Sequence, residues 1–141
     1  MKRFHYESKV AKLLLGFSGC HTITIGPLVF SKRPESKVSQ RLRNHEACHA
    51  DQWCEVTGAT LLILLICHMA FGIPVWWLWT AALEYYIWYG LEYLVKLAVY
   101  RDAGKAYKAV CFEREAYSNE LDDNYTENRR LFSGWLERIW R

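Results

Sequence analysis

From Val56 to Leu83 the chain carries no Asp, Glu, Lys or Arg, whereas charged residues recur every few positions on either side. An uncharged run of this length exceeds the about 20 residues needed to cross a bilayer core. Gly72 and Pro74 split the run, and both are strong local breakers. The apolar pattern resumes at Val75 and continues to Tyr100, interrupted by Glu84, Glu92 and Lys96. Residues 59–100 are therefore expected to form two apolar helices packed as a hairpin. Upstream, Arg41 to Thr57 reads as a helix that starts near Lys37 under a Ser36 or Ser39 cap and ends or bends at Gly58. Earlier still, His21 to Ile25 and Leu28 to Phe30 read as two short strands around the Gly26-Pro27 turn. Residues 4–17 fit a short helix or a strand equally well. Downstream, a helix is expected over about Ala103 to Glu120, followed by a polar tail with Trp135 and Trp140. The expected fold is mainly α and a single domain over residues 1–141: a short N-terminal β-hairpin, one polar helix, the apolar helical hairpin and one further helix.

Composition sharpens the apolar reading. Hydrophobic residues make up 52% and aromatics 16%, with seven Trp and nine Tyr, a load that suits a membrane interface or a large apolar surface. The net charge of +3 is small and well mixed, which excludes the concentrated basic patch of a nucleic-acid binder. Basic residues flank the hairpin: Lys32, Lys37, Arg41 and Arg43 before it, Arg101, Lys105 and Lys108 after it. This places both ends on the cytoplasmic side of an inner membrane. Glu84 and Glu92 oppose insertion, because carboxylates at membrane depth are costly. The rival reading is a cytoplasmic homo-oligomer with the hairpin as its interface, and the modest expectation for these glutamates is pairing with Lys96, Arg101 or hydroxyls. Leu13 to Phe17 is too short an apolar core for a signal peptide. The five cysteines are scattered without a Cys-x-x-Cys pair, which argues for free thiols in a reducing compartment.

The chemistry concentrates at Asn44-His45-Glu46-Ala47-Cys48-His49. On a helix, residues four apart share a face, so both imidazoles of His-Glu-x-x-His can meet one ion, with Glu46 near enough to act as a base on a water. Zinc suits such nitrogen and oxygen donors, and a catalytic site keeps one position open. A third ligand is needed. In Phe112-Glu113-Arg114-Glu115-Ala116-Tyr117, Glu113, Ala116, Tyr117 and Glu120 share a face, and the small Ala116 allows a close approach. Glu113 is the expected ligand, with Glu120 and Glu115 as substitutes. Cys48 has no partner at zinc-site spacing, and His5, His21 and His68 lie outside any ligand spacing. Gln52 shares the His45 face, either lining the cleft or capping a polar contact.

His45-Glu46-x-x-His49 followed by Glu113-x-x-Ala116 resembles the gluzincin metallopeptidases. That resemblance implies zinc held by His45, His49 and Glu113, Glu46 as the base, and a peptide or protein substrate. It also resembles the membrane zinc peptidases related to the CaaX prenyl proteases, which place a transmembrane hairpin between the two motifs. Over most of residues 20–136 the chain is similar to small Bacteroidetes membrane-associated proteins with an Asn-His-Glu opening and a Phe-Glu-Arg-Glu-Ala-Tyr element. Tyr117 stands where the peptidases usually carry an Asp that supports a zinc-bound imidazole, and a donor role toward a developing oxyanion is the catalytic reading for it. The resemblance further implies that the Thr22–Phe30 strands can pair with an extended peptide. The competing class is a non-catalytic interaction protein that retains the metal-site scaffold.

Overall fold

A computed structural model describes residues 3–139. The elements run β1 (Phe4–His5), α1 (Lys9–Leu14), β2 (Thr22–Ile25), β3 (Leu28–Ser31), α2 (Gln40–Phe71), α3 (Ala81–Tyr100), α4 (Ala103–Ala109), α5 (Cys111–Asn119), α6 (Tyr125–Asn128) and α7 (Ser133–Leu136). The fold is mainly α, with single 3-10 turns at Glu35–Lys37 and Val75–Thr80. Residues 4–17 thus hold both a strand and a helix, and Trp140 lies outside the described residues.

The expected β-hairpin is there, and a third strand joins it. β2 and β3 pair antiparallel from Thr22 opposite Ser31 to Ile25 opposite Leu28, and β1 adds in parallel to β3. The order β1-β3-β2 leaves β2 at an edge. The tight turn needs Gly26 at φ +59°, where glycine has no steric penalty. Its N–H donates to the Tyr86 hydroxyl at 2.6 Å, which docks the turn on α3.

Ser39, not Ser36, caps α2, with its hydroxyl accepting from Leu42 N–H at 3.3 Å. Gly58 does not end this helix, which runs unbroken for 32 residues to Gly72. Gly58 is exposed with nothing packed at its Cβ position, and the helix passes through it at the modest cost of a mid-helix glycine. Termination comes at Gly72, in the left-handed conformation, whose N–H reaches His68 O, with Pro74 just beyond. His68 Nδ1 meets Ile73 O at 2.6 Å and closes the same end.

The single helix expected over 103–120 is two. Val110 is extended, and Glu92 on α3 accepts from Cys111 N–H at 3.0 Å, capping α5 from outside the local sequence. Glu92 therefore serves a helix end rather than Lys96 or Arg101.

The core gathers Val56 of α2, Tyr85 of α3, Cys111 and Phe112 of α5, Val110 and Trp135. It occupies one end of the long helices only. Along α2, Asn44 to Thr57 holds the buried positions, whereas Leu62, Ile66, Met69 and Phe71 are more than half exposed, as are Trp76, Trp79, Leu83, Leu91 and Leu94 across the hairpin. α2 is long and apolar enough to cross a membrane.

Candidate metal centre

His45 and His49 lie one turn apart on the buried half of α2, and α5 lays Glu113 across them. His45 Nε2 and His49 Nε2 are 3.1 Å apart. Glu113 Oε2 stands 3.3 Å from His45 Nε2, and Oε1 stands 3.2 Å from His49 Nε2. A tetrahedral ion with zinc-like bonds of about 2.0–2.1 Å separates its ligand atoms by about 3.3–3.4 Å. The nitrogen–nitrogen spacing is close to an edge of such a polyhedron, and each Glu113 oxygen stands at nearly that distance from one of the two nitrogens.

Hydrogen bonding behind the rings supports the same reading. His49 Nδ1 meets Gln52 Oε1 at 2.8 Å, and His45 Nδ1 lies 3.5 Å from Glu120 Oε2. With the His49 Nδ1 hydrogen donated to Gln52, and that of His45 facing Glu120, both Nε2 atoms would present lone pairs to each other and to the carboxylate. Glu113 Oε2 is buried and receives no hydrogen bond. Clustered lone pairs of this kind call for a cation, or for a proton in its place. With a proton there, Nε2 donates to Glu113: burial opposes the charge on this carboxylate, yet hydrogen bonding from His45 and His49 outweighs it and holds the carboxyl well below the usual range. The Tyr89 hydroxyl adds a bond to Glu113 Oε1 at 2.8 Å.

Glu46 lines the same cleft of about 340 Å³, together with His45, His49, Glu113, Tyr107 and the β2 residues Thr22 to Thr24. Thr24 donates to Glu46 Oε2 at 2.5 Å, so the edge strand orients this carboxylate. Tyr117 is not among the lining residues. Its ring stands edge-on to His45, with centroids 4.6 Å apart, so it packs the ligand from the side. Glu120 is turned to the far nitrogen of His45 and paired with Arg41. Glu115 is fully buried on another face, bonded to Gln52 and Arg129.

Three groups bring the sequence candidates into one site: β2 through Thr24, α3 through Tyr89, and Gln52 behind His49. Gln52 carried a signal in its position three residues after His49. Thr24 and Tyr89 carried none, since their roles depend on how distant elements pack.

No known relative decides the matter. Compared with protein-family models, curated proteins and solved structures, the chain finds no match.

Proposed function

We propose that this protein is a zinc-dependent hydrolase of gluzincin type, cleaving a peptide bond or related amide at or near a membrane surface. The observation that carries the proposal is the convergence of His45 Nε2, His49 Nε2 and the Glu113 carboxylate at 3.1–3.3 Å from one another, with Glu46 in the same cleft. Zinc, when bound, supplies Lewis-acid polarisation of a carbonyl and acidification of a water. The protein's own residues do the rest. His45, His49 and Glu113 hold the ion. Glu46, oriented by Thr24, takes a proton from the attacking water and returns it to the leaving nitrogen. The exposed edge of β2 along the cleft suits an extended peptide, which would add as a further strand.

The exposed apolar hairpin supports the membrane part. The half of α2 beyond Val56, the tryptophan-bearing turn and α3 leave a surface that water solvates poorly. The cleft lies at the base of this hairpin, where Tyr85, Tyr86 and Gly90 of α3 form one wall. Substrates held at a membrane surface would meet it there. The same apolar face also favours a second reading, a helical dimer with the hairpin as interface, and the mass of the detergent-free species separates the two.

Glu46→Gln tests the catalytic claim. The variant is expected to keep stoichiometric zinc while peptide hydrolysis falls by 10²-fold or more, within the range of about 10²–10⁴ for general-base loss. Unchanged hydrolysis would remove Glu46 as the base and leave a metal-binding protein without this chemistry.

A further inference from the structure

Behind the converging ligands lies a buried polar layer that the proposed chemistry does not use. Gln52 is 0% exposed and offers Oε1 to His49 Nδ1 at 2.8 Å. The other end of its amide fixes which atom points where: Nε2 donates to Phe112 O at 3.0 Å and to Glu115 Oε2 at 2.9 Å, both of them acceptors only. Glu115 is held in its turn. Arg129 bonds both of its oxygens, the Tyr125 hydroxyl donates to Oε1 at 2.8 Å, and Arg129 presents its remaining donors to Glu55. The tail presses on this carboxylate through a residue without a side chain: a Cβ added at Gly134 would stand 1.9 Å from Glu115 Oε1.

We propose that Gln52, Glu115, Arg129 and Gly134 form a positioning relay that holds His49 as its Nδ1–H tautomer and keeps the Nε2 lone pair aimed at the cation. The purpose of the relay rests on the metal reading of the site; its tautomer readout does not.

The chemistry follows from donor and acceptor rules. Gln52 Oε1 can only accept, so a hydrogen sits on His49 Nδ1, and Nε2, which faces Glu113 Oε1 at 3.2 Å, is left to a proton or to the cation that displaces it. Tyr85 is the competitor, with its hydroxyl 3.3 Å from His49 Nδ1. A phenol donating there would move the hydrogen to Nε2 and spoil the ligand. The same hydroxyl lies 3.4 Å from Gln52 Oε1, which has a second lone pair to receive it. Donation to Gln52 leaves the ligand tautomer intact. Glu115 keeps the amide from turning over, and the guanidinium of Arg129 with the bare backbone at Gly134 keeps Glu115 in place. A neutral amide thus orients this imidazole, with the negative charge one hydrogen bond further back and balanced by Arg129.

The test uses the full chain, treated with a chelator and labelled with ¹⁵N histidine, and then titrated with zinc. Two-bond ¹⁵N–¹H correlation spectra read the His49 tautomer. A hydrogen on Nδ1 is expected in the starting protein, with or without a second one on Nε2, and on Nδ1 alone once zinc is added. Gln52→Leu is expected to shift His49 toward Nε2–H and to weaken zinc binding about 10–100-fold. Gly134→Ala touches neither imidazole and is expected to weaken zinc in the same direction by displacing Glu115. Nδ1–H persisting in a folded Gln52→Leu with unchanged affinity overturns the relay. Should Gln52→Leu fail to fold, unaltered zinc binding in Gly134→Ala overturns it instead. Absence of zinc binding in the starting protein defeats the metal reading, and the tautomer still decides the relay.

Discussion

Thr24 and Glu46 show how a single side-chain bond joins the sheet to the chemistry. The Thr24 hydroxyl donates to the carboxylate at 2.5 Å, so the edge strand holds the group proposed as the base. Thr24→Val keeps the shape and removes the donor. The expected effect is a roughly tenfold fall in kcat, about 1.4 kcal/mol of barrier, with zinc content unchanged; a loss of zinc instead would mean that Thr24 supports the ligands rather than the base. Much of this level was legible in the sequence. His45 and His49 follow from the four-residue helical repeat, and Glu113 from the face it shares with Ala116. Gln52 drew notice only as a neighbour on the His45 face. The support by Glu115 and Arg129 left no local mark, because it depends on a tail that folds back over α5.

Among the elements, the apolar hairpin and the capped helix that carries His45 and His49 were readable because periodicity and breakers are local. The break at Val110 was not. No Gly or Pro marks it, and the cap on Cys111 comes from Glu92, nineteen residues away on α3. Glu92→Leu strands the Cys111 N–H, and a cost of about 1–3 kcal/mol is expected in denaturant unfolding; no change would show that α5 needs no cap from α3. Gly58 misled in the other direction, since a glycine inside a strongly helical stretch is tolerated. With open space at its Cβ position, Gly58→Ala should stabilise the protein by about 0.5–1 kcal/mol. A destabilised variant would mean that α2 bends there.

At the scale of the whole molecule, a wet, charged base carries an apolar hairpin. The buried Glu55–Arg129–Glu115 cluster ties the tail to that base. Burial pushes the Glu115 carboxyl up, but hydrogen bonds from Arg129 and Gln52 outweigh this and leave it below the usual range. The folded state therefore takes up this proton less readily than the unfolded one. Its contribution is complete above the unfolded value of about 4.3 and is lost as the pH falls below it. Unfolding midpoints measured from pH 7 down to pH 3 should drop below about pH 4.3. Glu115→Gln should flatten that part of the profile, and an identical acid slope in the variant would assign the loss to other groups. The hairpin makes its own demand: the full chain should co-sediment with phosphatidylcholine vesicles, and a detergent-free, vesicle-indifferent dimer would support the second reading instead.

The proposed function depends on one ion seated between α2 and α5. X-ray absorption at the zinc edge, on purified protein with its metal content determined, reads that centre directly. The expected result is one zinc per chain, with two imidazole nitrogens and a carboxylate oxygen at about 2.0–2.2 Å, abolished in His45→Ala and Glu113→Ala. Protein without stoichiometric metal, or zinc retained in those variants with its scattering unchanged, would contradict it.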